Sequence, residues 1–330
     1  MLNQQKRLKV LTWHIHGSYL YYLTHTDCIF YLPYKEGSSE EGYGGRTRSF
    51  HWGDNVVNVP ADEVKDLDFD IILFQSKKNY LHDQYEILSE EQRALPKIYL
   101  EHDPPREVPT DTHHVVDDPD ILLVHVTHFN ELMWNNNRTP TKVIDHGVLD
   151  KGNLYTGDLQ KGIVVINGIV KRGRRLGLDV FEKVKKQIPL DIVGMGSEEV
   201  GGLGEINNSD LPSFIAEYRF FFNPIRYTSL GLSVCEAMMS GIPVVGLATT
   251  ELVTAVKNDY SGFVDTDVDA LIEKMDMLLQ DKEKAKELGD GARETALKRF
   301  NINRFTTEWL DTFSTVNEQK KDISKSLMVS

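Results

Sequence analysis

The strongest constraint on the fold is an alternation of short apolar runs with longer helical patterns, which occurs twice along the chain. The first series of runs lies at residues 8–12, 71–74, 98–100 and 122–126, and the second at 163–166, 190–193, 220–222 and 244–247. Short continuous apolar runs are typical of strands buried on both faces of a parallel sheet. The helical segments between them predict right-handed βαβ units, so the predicted fold class is α/β with doubly wound sheets.

A polar segment with three glycines, residues 150–162, separates the two series and has the composition of a linker. We therefore predict an N-terminal Rossmann-like domain over residues 1–150, a linker over 151–162 and a C-terminal Rossmann-like domain over 163–300. Residues 301–330 predict a C-terminal helix and tail, for which the N-terminal domain is the expected packing surface. The Gly- and Ser-rich residues 35–53 predict a loop excursion, either a mobile lid or an insertion.

Charge and cysteine content exclude several classes of function. Lysine and arginine total 37 against 50 aspartates and glutamates, a net charge of -13 that repels a nucleic-acid backbone. We expect no nucleic-acid partner, and membrane contact that is peripheral at most. The two cysteines, Cys28 and Cys235, lie in apolar stretches and constitute neither a disulfide framework nor a zinc site. No apolar stretch has the length of a signal peptide or a membrane span, so we expect a cytoplasmic protein.

The segment with the clearest chemistry is residues 220–246, FFFNPIRYTSLGLSVCEAMMSGIPVVG. It predicts a strand, a turn, a helix and a second strand. Ser229 is the expected N-cap of the helix, and Gly231 lets a ligand approach the backbone. Gly241 and Pro243 end the helix. A helix that begins at the carboxyl end of a parallel strand presents free N–H groups and a positive dipole end, which suit a diphosphate.

Glu236 falls about one and a half turns into this helix, among small and apolar neighbours. A carboxylate in such surroundings requires hydrogen bonds. The two vicinal hydroxyls of a ribose would supply them, and so would a structural hydrogen bond or ion pair within the protein. Both interpretations remain open from the residues alone.

The stretch EAMMSGIPVV, residues 236–245, resembles the signature of the family 4 retaining glycosyltransferases of the GT-B fold. That signature has a glutamate, seven residues, a second glutamate, Ala-Met, a small residue and Gly-x-Pro-Val-Val. Glu236 stands at the second glutamate, which in the family binds the donor ribose. The first falls on Thr228, where the family's glutamate contacts the donor sugar and faces the reacting carbon.

The resemblance covers the second domain and implies the function. It implies two Rossmann-like domains that face a cleft, and transfer of a hexosyl group from a UDP- or GDP-sugar with retention. The acceptor hydroxyl would belong to a carbohydrate, a lipid or a small molecule. No metal is implied, and no cofactor beyond the nucleotide diphosphate sugar that serves as donor substrate. The departing phosphate is thought to take the proton of the acceptor hydroxyl.

Donor contacts follow from the same resemblance. Arg174 aligns with a lysine that clamps the diphosphate, although a solvated basic turn would have the same composition. Gly194 and Gly196 match a Gly-x-Gly loop, which alone predicts only a tight turn. Gly204 and Ile206 match the place where the family's backbone binds the nucleobase. The diphosphate would bind the helix start, formed by Ser229, Leu230, Gly231 and Leu232.

In the first domain, Gly17 falls where the family keeps a glycine beside the sugar diphosphate. His102 aligns with a family histidine that contacts the donor sugar at the reaction centre, so His102 and Thr228 are the candidate catalytic residues. A capped surface loop is the alternative for His102. His14 and His16 flank the loop before Gly17, and their spacing suits a metal pair as well as hydrogen bonding. Because further ligands are not evident, we predict no metal site.

Thr228 also keeps a second function open. A GT-B subunit without catalysis, which binds a nucleotide sugar or a partner protein, would tolerate loss of the first glutamate. A nucleotide-dependent oxidoreductase is disfavoured, because the first strand is not followed by Gly-x-Gly-x-x-Gly. Gly17 is the only glycine of its loop.

Overall fold

A computed structural model of the chain describes residues 6–329, with side chains described as far as residue 319. The chain divides into two compact units. Unit 1 contains the residues up to Asp145 and those from Asn303 onward, and unit 2 contains His146–Ile302. The segment predicted as a linker, residues 151–162, lies within unit 2. There the amides of Thr156 and Gly157 donate to the Ala216 carbonyl at 3.0 and 3.1 Å.

Strands and helices alternate along both units. In chain order the described strands are β1 Lys9–Thr12, β2 Ile29–Tyr34, β3 Val56–Pro60, β4 Ile71–Phe74, β5 Lys97–Glu101, β6 Ile121–His125, β7 Thr141–Val143, β8 Leu159–Val165, β9 Leu190–Val193, β10 Tyr218–Asn223, β11 Val244–Leu247 and β12 Gly262–Asp265. The described α-helices are α1 Gly17–Leu23, α2 Gln84–Ile87, α3 Glu90–Arg93, α4 His128–Met133, α5 Ile169–Arg172, α6 Leu178–Lys185, α7 Leu211–Ile215, α8 Leu232–Met239, α9 Leu252–Ala255, α10 Val268–Gln280, α11 Lys282–Arg299 and α12 Ile302–Val329.

Unit 1 is built on a seven-stranded sheet in the order β3-β2-β1-β4-β5-β6-β7, and every neighbouring pair is parallel. The four predicted runs of the first series appear as β1, β4, β5 and β6. Strands β2, β3 and β7 were not predicted. The centre of the sheet is apolar on both sides, and Trp13 stacks on Phe74 with ring centroids 5.7 Å apart. The predicted α/β class with parallel strands is confirmed for this unit.

Unit 2 is built on a five-stranded parallel sheet in the order β12-β11-β10-β8-β9. The four predicted runs of the second series appear as β8 to β11, and the edge strand β12 was not predicted. Helix α10 packs on this sheet because its apolar residues recur every three or four positions, and five of them are buried. The Asp267 carboxylate caps its first turn by accepting from the amide of Asp269 at 2.9 Å.

A buried arginine closes the other end of α10. Arg219 lies on β10 with 7% of its surface exposed. Its Nη1 donates to the carbonyls of Leu278 and Leu279 at 3.1 and 2.6 Å, and its Nε donates to the Gly157 carbonyl at 2.9 Å. A positive charge at the C-terminal end of a helix complements the helix dipole. The charge of Arg219 is thus balanced by oxygen dipoles that α10 leaves unpaired.

The C-terminal helix α12 belongs to unit 1 from Asn303 onward. Phe305, Trp309 and Phe313 are fully buried, and Lys142 donates to the Thr312 hydroxyl at 2.8 Å. The helix continues to Val329, so the described part of the predicted tail is helical. Neither α12 nor any other described helix combines the length and the apolar composition that crossing a bilayer requires.

Candidate functional site

The sheet of unit 2 reverses its order between β8 and β10. From β8 the chain proceeds to β9 on one side, and from β10 it proceeds to β11 on the other. In doubly wound sheets a ligand crevice forms at such a reversal, beyond the carboxyl ends of the strands. The segments that leave this edge are residues 166–168 after β8 and residues 224–231 after β10. All the donor-binding residues predicted in the second domain lie on these segments, on the first two turns of α8 or on neighbouring loops.

Helix α8 begins with an N-terminus that no described side chain caps. Gly231 is the N-cap, with φ -72° and ψ 138°. The prediction of Ser229 as the N-cap is therefore wrong, because Ser229 precedes the cap by two residues and its hydroxyl does not bond the first-turn amides. Ser229 is 8% exposed, and its buried Oγ has no hydrogen-bond partner among the residues that the structure describes. A buried hydroxyl without a hydrogen-bond partner costs free energy. We therefore expect a ligand to supply the partner of this hydroxyl.

The loop before α8 is held from two sides. His146 Nε2 donates to the Leu230 carbonyl at 2.7 Å, and both residues are 4% exposed. The Ser233 hydroxyl lies 3.5 Å from the Val165 carbonyl at the end of β8. These contacts fix the N-terminus of α8 over the reversal point. His146 was not predicted as a site residue, since its partner is 84 positions away in the sequence.

The far end of α8 matches the prediction. Gly241 has φ +83°, its amide donates to the Met238 carbonyl at 3.1 Å, and the Ile242 amide donates to the Ala237 carbonyl at 3.0 Å. This pair of bonds is the Schellman motif that a C-terminal glycine permits. Glu236 lies between the two ends, half-buried on the second turn. Glu236 is therefore partly exposed on the same helix as the uncapped amides.

The predicted phosphate clamp, Arg174, is exposed and paired. Its Nη1 donates to the Asp179 carboxylate at 2.6 Å, and the side chain is 76% exposed. Arg226 binds the same carboxylate through both Nη atoms at 2.5 and 2.8 Å, and the hydrogen bond from Arg226 lowers the pKa of Asp179. Exposed ion pairs contribute about 0–1 kcal/mol, so another anion can replace Asp179 at little cost. Arg226 is a further candidate cation that sequence reasoning treated as part of a turn.

The basic turn adjoins the entry of α8. The amides of Arg226 and Tyr227 donate to the Arg175 carbonyl at 3.1 and 3.2 Å. At Gly177, an added Cβ would lie 1.9 Å from the Pro224 carbonyl oxygen, so only glycine permits this approach. The turn that carries Arg174 and the loop that leads to Gly231 are therefore neighbours at one edge of the sheet.

The glycines after β9 form one cluster. The Gly194 amide donates to the Gly204 carbonyl at 2.8 Å, and the Gly204 amide donates to the fully buried Ser197 hydroxyl at 3.0 Å. Gly196 has φ +72°, and a Cβ on Gly194 would lie 2.4 Å from the Ile166 carbonyl oxygen. The structure thus brings the three predicted glycines together. Ser197, which connects them, was not predicted.

This cluster is also bound to the end of β8. The Met195 amide donates to the Asn167 side chain at 2.9 Å, and the Gly168 amide donates to the Met195 carbonyl at 2.7 Å. Met195 and Leu203 are 51% and 53% exposed, and Ile206 is half-buried. Exposed apolar side chains therefore flank the place predicted for the base.

Unit 1 has its own reversal point, between β1 and β4. Gln75 follows β4, and its Nε2 donates to the Thr12 hydroxyl at 2.8 Å and to the Trp13 carbonyl at 3.0 Å. His102 follows β5, and its Nε2 lies 3.1 Å from the Oε1 of Gln75. Gln75 and His102 are 3% and 8% exposed. The predicted catalytic histidine is therefore anchored at the crevice edge of this sheet, through a residue that was not predicted.

Aromatic rings surround His102. The His16 ring lies 3.9 Å from it between centroids, and Tyr19 meets it edge-on at 4.9 Å. Gly17 lies between these two residues at the start of α1. A Cβ on Gly17 would lie 2.9 Å from the ring of Phe50 and 3.0 Å from the His14 Nε2. The predicted Gly17 and His102 therefore share one edge of the sheet, and packing against Phe50 supplies a structural reason for the glycine.

Among the described residues, one group of three ligating side chains has the spacing of a metal site: Glu40, Asp83 and Glu86, with ligand atoms within 4.8 Å of one another. Two ammonium groups already pair with it. Lys35 binds Glu40 at 2.6 Å, and Lys78 binds Glu40 at 2.7 Å and also pairs with Asp83. The group is therefore an ion-pair cluster, which ties residues 35–53 to the segment that follows β4.

His14 and His16 do not belong to that group. The His14 Nδ1 donates to the Gly45 carbonyl at 2.5 Å, and burial lowers the pKa of His14. A neutral His14 ring that donates to a backbone carbonyl has a hydrogen-bonding role. Hydrogen bonding is the alternative to a metal pair that the sequence left open.

Known proteins resemble this chain in sequence and in fold. Residues 176–295 match the family described as glycosyl transferases group 1. Trehalose synthase from Pyrococcus horikoshii is 27% identical over 176 residues, which are 50% of this chain and 40% of that protein. The matches to curated relatives span 25% to 40% of the lengths of those proteins.

Solved structures extend the likeness to the whole chain. Anabaena HepE, solved in complex with UDP, has a TM-score of 0.65 at 14% identity, over 94% of this chain and 100% of that one. Sucrose-phosphate synthase from Thermosynechococcus elongatus has a TM-score of 0.64 at 13% identity, over 98% and 100%. At these identities the likeness shows the fold. The chain therefore has the GT-B fold, and residues 176–295 are similar to the glycosyl transferases of group 1.

Proposed function

We propose that this chain is a retaining glycosyltransferase that moves a hexosyl group from a UDP- or GDP-sugar to an acceptor hydroxyl. The observation that carries the proposal is the entry of α8. Its first-turn amides lack a side-chain cap in the described structure, and they lie beside the buried Ser229 hydroxyl, which has no described partner. The oxygens of a diphosphate would accept hydrogen bonds from both. The complex of HepE with UDP supports a nucleotide in a protein of this fold.

The surrounding residues suggest a role for each part of the donor. The amides of Gly231 and Leu232 and the Ser229 hydroxyl would bind the diphosphate. Arg174 would exchange its exposed pairing with Asp179 for a phosphate oxygen. The Glu236 carboxylate would accept from the ribose hydroxyls. Positive groups held in place before the reaction stabilise charge as it develops on the leaving group.

The reaction follows from the family resemblance. The bond between the anomeric carbon and the diphosphate oxygen breaks, and a bond to the acceptor oxygen forms on the same face of the sugar. The proton of the acceptor hydroxyl passes to the departing diphosphate. His102 and Thr228 would contact the hydroxyls of the donor sugar, which positions the anomeric carbon without a covalent intermediate.

A binding and turnover panel tests the proposal. Calorimetry with UDP, GDP, ADP and their glucose derivatives identifies the preferred nucleotide. Release of nucleoside diphosphate is then followed with that donor and a set of hydroxyl acceptors, and the anomeric configuration of the product is read by NMR. We expect tight binding of one nucleotide and a product with retained configuration. Failure of every nucleotide to bind would contradict the proposal, whereas tight binding without turnover would favour a non-catalytic subunit, which Thr228 also suits.

We further propose that turnover does not need a divalent metal. Arg174, Arg226 and the helix amides would supply the positive charge that a metal ion provides in other phosphate sites. We expect the rate of diphosphate release to be unchanged after dialysis against EDTA. A rate that EDTA abolishes and that Mg²⁺ or Mn²⁺ restores would show that a metal is required.

Thr228 is expected to set the preference among donor sugars. It lies on the loop that leads into α8, half-buried, at the position of the family's sugar-facing glutamate. A hydroxyl donates and accepts, whereas a carboxylate only accepts and adds a negative charge beside the diphosphate. Thr228→Glu should therefore change the ranking of donor sugars more than the inhibition constant of the free nucleoside diphosphate. An identical ranking of donors in both proteins would show that Thr228 does not face the sugar.

A further inference from the structure

We propose that Arg226 balances the charge of Asp179 and thereby leaves Arg174 available to the diphosphate of the donor. Arg226 is then a positioning residue, which acts on the donor through Asp179 and Arg174. That the anion is a diphosphate rests on the proposed function. The way in which the two arginines share Asp179 follows from contacts within unit 2, and it can be tested without a ligand.

The first step is how the two arginines divide the Asp179 carboxylate. Arg226 binds both of its oxygens: Nη1 donates to Oδ1 at 2.5 Å, and Nη2 donates to Oδ2 at 2.8 Å. Arg174 binds only Oδ2, through Nη1 at 2.6 Å. A guanidinium that meets both oxygens of a carboxylate forms the stronger and more directional pair. When Arg174 turns to another anion, the carboxylate therefore keeps a partner at each oxygen.

The second step is the anchoring of the Arg226 guanidinium. Its Nη1 also donates to the backbone carbonyl of Arg174 at 2.8 Å. The Arg226 side chain is 28% exposed, whereas that of Arg174 is 76% exposed. Release of Arg226 would break three side-chain hydrogen bonds to described residues, and release of Arg174 would break one. Arg174 is therefore the arginine that can exchange its partner, and Arg226 is the arginine that stays.

The third step is the net charge of these three side chains. Two arginines and one ionised aspartate leave one positive charge. The hydrogen bond from Arg226 is the largest cause that lowers the pKa of Asp179, and the charge of Arg174 lowers it further. Asp179 is therefore an anion near neutral pH. Without Arg226, this anion would hold Arg174 and repel a phosphate. With Arg226 in place, Arg174 carries the positive charge that remains.

This charge lies near the groups to which the proposed function assigns the diphosphate. The turn that carries Arg174 packs against the loop that leads to α8, since a Cβ on Gly177 would lie 1.9 Å from the Pro224 carbonyl oxygen. The same loop carries the buried Ser229 hydroxyl and ends at the uncapped N-terminus of α8. The exchangeable arginine and the donor amides thus belong to neighbouring segments of unit 2.

Titration of Asp179 tests the division of the carboxylate without a ligand. In protein labelled with ¹³C at the aspartate carboxylates, the Asp179 signal is assigned by its loss in Asp179→Asn. Removal of a neighbouring cation raises the pKa of a carboxylate. We expect a larger rise in Arg226→Gln than in Arg174→Gln. An equal or larger rise in Arg174→Gln would make Arg174 the main partner of Asp179 and overturn the inference.

A second substitution that restores the charge tests the effect on anion binding. The three side chains carry one positive charge in the wild type, none in Arg226→Gln, and one again when Asp179→Asn is added. We expect calorimetry to show about fivefold weaker binding of the preferred nucleoside diphosphate in Arg226→Gln, which corresponds to about 1 kcal/mol for an exposed ion pair. The double variant should recover the wild-type affinity, and Asp179→Asn alone should exceed it.

Recovery separates the inference from two other roles of Arg226. If Arg226 contacted the phosphate itself, or only held the loop in shape, the loss in Arg226→Gln would persist after Asp179 is neutralised. A double variant that binds as weakly as Arg226→Gln would therefore overturn the inference.

Arg138 and Asp117 provide a matched control. They form an exposed pair in unit 1, in which Arg138 Nε and Nη2 donate to the two carboxylate oxygens at 2.9 and 3.3 Å. Arg138→Gln changes the total charge by the same amount as Arg226→Gln and should leave the affinity unchanged. An equal loss in both variants would assign the effect to the total charge of the protein and contradict a specific role of Arg226.

The outcomes also distinguish this inference from the proposed function. If the wild type binds a nucleotide but the double variant does not recover, the proposed function stands and the role of Arg226 is wrong. If the wild type binds no nucleotide, the proposed function fails, and the titration of Asp179 still decides which arginine is its main partner.

Discussion

Replacement of Glu236 by alanine is expected to weaken the binding of the preferred nucleoside diphosphate by about 10- to 150-fold. The basis is the loss of a charge-assisted hydrogen bond to the ribose, about 1.5–3 kcal/mol, at about 1.4 kcal/mol for each tenfold. Glu236 is half-buried on the second turn of α8, the helix whose first-turn amides lack a described cap. Calorimetry on the wild type and the variant measures the effect.

Two controls isolate the ribose contact. A 2′,3′-dideoxy nucleotide lacks both hydroxyls, so its affinity should be nearly equal in the wild type and in Glu236→Ala. Glu182→Ala removes an exposed carboxylate from α6 of the same unit and should leave both affinities unchanged. A loss that is the same for ribose and dideoxyribose nucleotides would assign Glu236 to the structure of α8 and exclude it from the donor contact.

Replacement of Gly177 by alanine is expected to destabilise unit 2 by about 2–5 kcal/mol. The left-handed conformation at φ +81° costs a residue with a Cβ about 1–2 kcal/mol. The backbone must also shift, at about 1–3 kcal/mol, because the Cβ would lie 1.9 Å from the Pro224 carbonyl oxygen. Because Gly177 lies where the basic turn meets the loop that leads into α8, nucleotide affinity should fall as well.

Gly168→Ala separates the two contributions. Gly168 also has a left-handed backbone, with φ 62° and ψ 40°, but nothing lies within 4 Å of its added Cβ. It should therefore lose only about 1–2 kcal/mol. Calorimetric unfolding of the full chain compares the variants. Equal losses in Gly177→Ala and Gly168→Ala would show that the contact with Pro224 relaxes without cost.

The central strands were predictable because burial on both faces leaves a continuous apolar run in the sequence. The predicted runs at 71–74 and 244–247 coincide with the central strands β4 and β11. The edge strands β3, β7 and β12 were missed, and so was the internal strand β2. The edge strand β9 was found, because three of its four residues are buried. In β7 no residue is fully buried, and β12 ends on an exposed Asp265. Where an edge strand buries few residues, its sequence carries a weaker apolar signal.

In the candidate site, features that depend on local contacts could be predicted, and features that depend on contacts distant in the sequence could not. The start and end of α8 depend on consecutive residues, so the helix and Glu236 could be found. The N-cap was assigned to Ser229 and is Gly231, because both residue types suit that position and the choice depends on where the chain turns. The contact of Gln75 with His102 spans 27 positions, and that with Thr12 spans 63. Such contacts follow from strand order, which the sequence pattern leaves undetermined.

The chain passes from unit 1 to unit 2 and back again. This connectivity limits how homologues can be recombined. Because unit 1 includes the residues from Asn303 onward, a chimera joined once, after Asp145, would receive the end of its N-terminal unit from the other parent. That end supplies Phe305, Trp309 and Phe313, all fully buried, and Trp309 donates to Tyr19. Exchange of a unit between homologues therefore needs two crossovers, one near residue 145 and one near residue 302. A single crossover would combine a core from one parent with aromatic side chains selected to fit another.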